Sequence, residues 1–397
     1  MIFQESWRWF GPEDSVSLAT IKQAGAVGVV TALHQIPVGE VWNVAAIQER
    51  KKIIEQGVKE QSGLLWNVVE SLPIHEHIKQ GKSDRDVYIE NYKQSIKNLA
   101  SCGIRCICYN FMPILDWLRT DVNYSLPDGS STLLYNMRDV ALFDMYVLKR
   151  ENARGFYSEE LLKEVDTYYN EISKEDLEVI KSSLLLALPG DSNNFTLERL
   201  KEGIQAYKDI NREKLRENLI YFLNEVIPVA EAEEVTLAIH PDDPPWSVFG
   251  LPRIVSSIED LDYIFSSVPS LYNGLTFCSG SLGASEKNDL PKIIETFYER
   301  IHFVHLRSVH RTAPFYFHEA AHLEGSVNMF GLVKTFYECG KKKPEKKLPM
   351  RPDHGYKMLD DLNKNTSYPG YSAIGRLKGL AEIRGLEMAI VKSGELS

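Results

Sequence analysis

Short apolar runs alternate with longer amphipathic stretches along most of the chain. The runs SWRWF, VGVVTAL (27–33), LLWNVVE (64–70), IRCICYNF (104–111), VTLAIH, GLTFC, IHFVHL and LPMRPD are of strand length and rich in β-branched or aromatic residues. Between them lie stretches with helical periodicity, such as AIQERKKIIEQGVKEQ and residues 88–100, and further helices are expected to start near Ile258, Leu290, Met329 and Ala373. Strands separated by helices pair in parallel through right-handed crossovers. Eight such units predict an α/β fold of the (β/α)8 TIM-barrel type, a single domain over residues 1–397. An open doubly wound sheet is the alternative, but no glycine-rich phosphate fingerprint follows the first strand.

Period-two alternation assigns the strand faces. In VTLAIH, Leu237 and Ile239 share one side, with Ala238 and His240 on the other; in GLTFC, Leu275 and Phe277 oppose Thr276 and Cys278. Large apolar residues are expected toward the helices and smaller or polar ones toward the barrel axis. One interruption breaks the rhythm. Residues 119–228, rich in charge and tyrosine, carry helical patterns such as SEELLKEVDTYYNEI and predict a helical insertion after the fourth strand, either capping the barrel mouth or serving oligomer contacts.

Composition narrows the partners. The chain has 397 residues, 44% of them hydrophobic, and a net charge of -10 without a basic stripe, which argues against nucleic acid. No run is long enough to cross a bilayer, and the N-terminal residues lack a signal-peptide pattern. Five cysteines with no secretory signal point to the reducing cytoplasm, so the sequons at Asn123, Asn194 and Asn365 are read as chance. Cys106 and Cys108 fit no zinc spacing and are expected to be buried packing.

Barrel enzymes place their chemistry at the C-terminal strand ends. Those positions hold Arg8, His34, Glu70, Asn110, His240, Cys278, His305 with Arg307, and Asp353 with His354. Of these, His240, Cys278, His305 and Asp353 come from the last four strands and form a donor set suited to a divalent transition metal, without deciding which one. A competing motif is FHEAAHLEGSVN, where His318, Glu319 and His322 match the zinc-protease pattern H-E-x-x-H. Its extended form fails at Asn328, which stands where a third histidine is required. In the barrel reading this segment is the loop after the seventh strand.

The segments WRWFGPEDSVSL, VTALHQIPVGEVW, CYNFMPILDW, HPDDPP, FCSGSLG, HLRS, FHEAAH, MRPDHG and PGYSAIGRLKGLAEIRG together resemble the mannonate dehydratase family of xylose-isomerase-like barrels, from the first ten residues to about Ile390. The resemblance implies a cytoplasmic hydro-lyase of hexuronate catabolism, converting D-mannonate to 2-keto-3-deoxy-D-gluconate plus water with Mn2+ or Fe2+. It implies metal ligands at His240, Cys278, His305 and Asp353, and proton-transfer roles for His354 and Tyr371. Arg8, His34, Asn110, Arg307 and His322 are then expected to touch substrate, with the Tyr371 phenolate favoured by nearby cations as a base. The partner is a small sugar acid, and a homo-oligomer, a dimer, is expected. A related sugar or sugar-acid isomerase on the same barrel shares this metal logic.

Overall fold

The computed structural model describes residues 1–56, 63–186, 196–364 and 368–395. Eight strands close into a parallel barrel: β1 (Phe3–Arg8), β2 (Gly28–Thr31), β3 (Leu65–Glu70), β4 (Cys106–Tyr109), β7 (Thr236–Ile239), β8 (Asn273–Cys278), β9 (Ile301–Leu306) and β12 (Leu348–Pro352). Their spatial order is β1-β12-β9-β8-β7-β4-β3-β2, and the seam closes with Phe3 opposite Leu348. The eight apolar runs of the sequence are these eight strands.

The strand faces separate as the alternation predicts. Val29, Val69, Ile107, Leu237, Ile239, Leu275, Phe277 and Val304 join the large core between barrel and helices. Val30, Val68, Cys106, Cys108 and Phe303 form a separate small cluster, the barrel's own interior. Both cysteines are therefore packing residues, and Cys108 accepts a hydrogen bond from Thr276 Oγ1 at 3.2 Å.

The C-terminal helix Ala373–Glu395 ties the last unit to the first. Its buried Glu387 accepts hydrogen bonds from the backbone N–H groups of Ile2 and Phe3, capping the start of β1.

The long interruption is not wholly helical. After β4 the chain first forms two strands, β5 (Asp121–Ser125) and β6 (Ser131–Asn136), and only then helices such as Glu159–Glu171 and Lys174–Leu184. The hairpin β10 (Ser308–Ala313) and β11 (Tyr316–Ala320) after β9 pairs with β6, giving an antiparallel sheet of order β10-β11-β6-β5. Residues 119–228 also contain most of Arg212–Ala232, the helix that leads back into β7 and packs on Arg85–Ser101. The sequons at Asn194 and Asn365, and the end of the helical pattern at 57–61, lie outside the described residues.

Among the described residues no helix is long and apolar enough to cross a membrane.

Candidate metal centre and active site

His240, Cys278 and His305 converge from the ends of β7, β8 and β9. One donor atom of each lies within 4.8 Å of the others, the spacing that a single ion with bonds of about 2.0–2.3 Å would bridge. His240 Nδ1 is 2.7 Å from the Pro241 carbonyl and can donate only to it. That bond fixes the proton on Nδ1 and leaves the Nε2 lone pair facing His305 Nδ1 at 3.2 Å. Burial lowers the His240 pKa, which keeps the ring in the neutral form a metal requires. Cys278 caps the short helix Ser279–Gly283, its sulfur accepting from Ser281 N–H at 3.5 Å and from Ser281 O–H at 3.1 Å.

Asp353 follows β12 and lies beside these three. Its Oδ1 is paired with Arg351, whereas Oδ2 stands 3.8 Å from Cys278 Sγ and 4.0 Å from His305 Nδ1. One oxygen is thus held by the guanidinium and the other is turned to the cluster. Burial alone would raise its pKa, but Arg351, His354 and Arg307 overcome this and hold it well below the usual carboxylate range. Glu70, at the end of β3, receives Arg351 at 2.8 and 3.0 Å and lies 3.6 Å from His305 Nε2. Two imidazoles, a sulfur and a carboxylate oxygen fit a divalent transition metal.

His354 sits next to Asp353 but turns its ring elsewhere, with a backbone φ of +55°, in the left-handed region. Its ring meets Tyr371 edge-on at 5.1 Å and Trp117 at 6.1 Å between centroids. Its Nδ1 lies 3.1 Å from Arg307 Nη1 and 3.3 Å from Glu319 Oε1. Burial pushes the Tyr371 phenol up to about 12, against the opposing pull of Arg351. From the chain's own groups alone, Tyr371 holds a proton; the phenolate expected from sequence called on a bound metal as well as an arginine.

The five expected substrate contacts divide. His34 and Asn110 line a cavity of about 660 Å³ across the mouth from the cluster, whose walls also include Trp117 and Lys79. None of the four candidate ligands lines it; Trp117, which touches His354, joins the two regions. Arg8 packs on Phe10 at 4.9 Å and stands 3.8 Å from Glu70. Arg307 is buried on Gly280, where any Cβ would fall 1.9 Å from its Nε, which explains the glycine in SGSLG. His322 is buried against Gly379, where a Cβ would fall 2.2 Å from the ring.

The H-E-x-x-H segment is not on a helix. His318 and Glu319 lie on β11, so the motif's two histidines do not share the helical face a zinc protease needs. His318 faces His310 and Tyr124, whereas Glu319 is buried with Arg119 and Arg307. This ionic group also contains Asp243, which pairs with both arginines at 2.8 Å. Sequence reasoning gave no role to Arg119, Asp243 or Arg351, gave Glu319 one only in the protease motif, and left Glu70 among the strand ends. Asp243 lies inside HPDDPP and Glu319 inside FHEAAH, so the segments were visible and the partnerships were not.

A closed parallel barrel with a His/Cys/Asp cluster at its C-terminal mouth defines a metal-site TIM barrel. A xylose isomerase-like TIM barrel protein from Mycobacterium smegmatis, solved in complex with magnesium, shares the fold at 11% identity and a TM-score of 0.51, over 94% of this chain and 87% of that one. A family model described as D-mannonate dehydratase (UxuA) matches residues 3–396, and the chain belongs to that hydro-lyase family. It is 46% identical to a mannonate dehydratase of Marinomonas sp. (strain MWYL1), over 98% of this chain and 99% of the relative. It is 47% identical to one from Chromohalobacter salexigens, over 98% of each. The crystal structure of mannonate dehydratase from Streptococcus suis serotype2 matches with a TM-score of 0.77 at 34% identity, over 99% of this chain and 95% of that one.

Proposed function

We propose that this chain dehydrates D-mannonate to 2-keto-3-deoxy-D-gluconate plus water in hexuronate catabolism, with Mn2+ or Fe2+ held by His240, Cys278, His305 and Asp353. The observation that carries the reading is the junction at 353–354: Asp353 turns one oxygen to the cluster while His354, next in sequence, turns its ring to Tyr371.

The reaction removes a proton from C2, next to a carboxylate, and hydroxide from C3. A divalent cation, when bound, supplies positive charge that offsets the charge developing on the substrate carboxylate. The rest falls to the side chains. A poor leaving hydroxide needs a proton, and carbanion formation needs a base, so two groups in different protonation states are required. His354 and Tyr371, ring against ring at 5.1 Å, are suited to be that pair, one acting at C2 and the other at C3. Arg8 and Arg307 are suited to hold carboxylate or hydroxyl oxygens, with His34, Asn110 and His322 along the sugar chain.

The protein is read as a single-domain cytoplasmic enzyme, and a homodimer is its expected form. The test is product formation from D-mannonate by chelated and then Mn2+- or Fe2+-reconstituted protein. A metal-dependent 2-keto-3-deoxy acid supports the reading, and an isomerised sugar acid in its place overturns it.

A further inference from the structure

Glu319 belongs to a motif that the barrel chemistry leaves unused. β11 carries it into the mouth at 3% side-chain exposure, and its Oε1 is the meeting point of three cationic or proton-bearing groups. Arg119 Nε lies 3.2 Å away with its Nη2 closer, Arg307 Nη1 lies at 3.3 Å, and His354 Nδ1 lies at 3.3 Å. Glu319 Oε2 has no hydrogen-bond partner.

We infer that Glu319 is the positioning residue for His354, fixing the ring's orientation at Nδ1 directly and through Arg307, so that Nε2 is the nitrogen left for substrate; this rests on the dehydratase reading above. Nδ1 has two neighbours of opposite character. Arg307 can only donate, and Glu319, when ionised, can only accept. The guanidinium bridges the two, with Nη1 donating to His354 Nδ1 at 3.1 Å and lying 3.3 Å from Glu319 Oε1. Nε2 lies 3.8 Å from Asp353 Oδ1.

A counter-ion role alone does not account for this placement. Asp243 already gives both arginines a carboxylate, with Arg119 at 2.8 and 3.2 Å and Arg307 at 2.8 Å. Glu319 adds the contact to the imidazole that Asp243 does not make. The second sheet secures it, since β11 pairs with β6 through Phe317 opposite Tyr135 and His318 opposite Leu134. The antiparallel sheet thus delivers a carboxylate behind an imidazole that the barrel itself supplies.

The experiment is a double-mutant cycle on metal-loaded enzyme with D-mannonate, using Glu319→Gln, His354→Asn and the pair, with metal content measured for each. Glu319→Gln is expected to lower kcat by about 10- to 100-fold, with KM and metal content near wild type. In the His354→Asn background the same change is expected to cost little more, and Glu319→Asp is expected to recover part of the loss. Wild-type kcat in Glu319→Gln, or equal losses in both backgrounds, would overturn the inference. If Glu319→Gln does not fold, Glu319→Asp in the two His354 backgrounds makes the same comparison. Wild-type enzyme inactive on D-mannonate overturns the functional reading itself, and the inference with it; an active wild type with an active Glu319→Gln overturns the positioning role alone.

Discussion

Arg351 reaches across the barrel mouth to Glu70, with Nη2 2.8 Å from Oε1 and Nε 3.0 Å from Oε2, and places its remaining nitrogen on Asp353. A bidentate pair of this kind fixes direction as well as charge. It divides the labour of Asp353, taking one oxygen and leaving the other for the cluster. Glu70→Gln removes the charge that balances Arg351, so the guanidinium competes more strongly for Asp353. The expected outcome is metal binding weaker by about 10- to 100-fold, read by titration of the apoprotein with Mn2+. Unchanged affinity would show that Glu70 does not support the site.

Cys278→Ser and Asp353→Ala are each expected to remove bound metal and activity together. Serine retains the size and the Ser281 contacts but not the soft donor. Metal content by elemental analysis, taken alongside turnover, decides it; a variant with full metal content would strike that residue from the ligand set.

His354→Asn is expected to keep its metal and lose turnover by about 100-fold or more, the usual scale for a general acid or base. The left-handed backbone at 354 favours this choice, because asparagine tolerates a φ of +55° better than most residues. Near-normal turnover would remove His354 from the proton-transfer pair.

Tyr371 offers a pH test. Its phenol is pushed by burial up to about 12, above the ordinary value near 10. The raised group favours the folded state at neutral pH, and that contribution is lost as pH rises from the unfolded value through the folded one. In metal-free protein the Tyr371 signal, taken as wild type minus Tyr371→Phe, should show no tyrosinate absorbance below about pH 10. Ionisation near neutrality would mark Tyr371 as a base.

The barrel was legible because each of its strands is a continuous apolar run with alternating faces, a pattern that needs no distant partner. The proposed ligands could be picked out for a related reason: His240, Cys278, His305 and Asp353 sit at strand ends, where barrel enzymes place their chemistry. The second sheet was not. SVHRTA and DVNYS mix polar and apolar residues because one face is solvated, so neither reads as a strand alone. Glu319 becomes interpretable only when that sheet carries it to Arg119 and His354, residues 200 and 35 positions away.

At the opposite end of the barrel, His302 gives a stability prediction separate from catalysis. Its ring fills the space left by Gly274, where a Cβ would fall 2.2 Å from it, and its Nε2 bonds the Leu271 carbonyl at 2.8 Å. Burial, with Lys346 nearby, lowers its pKa from 6.5 to about 4. The unfolded chain therefore binds the proton first on acidification. Stability from this group is present above about pH 6.5 and is lost as pH falls toward 4. Glu319, depressed to about 2 by Arg307 and Arg119 against the cost of burial, adds a further loss below about pH 4.5. His302→Gln should unfold more easily at pH 7 yet show a flatter fall in stability between pH 6.5 and 4, by up to about one proton per molecule, with the steeper loss at lower pH retained. Denaturant unfolding across this range reads the slope, and a parallel curve for the variant would show that His302 stays charged in the folded protein.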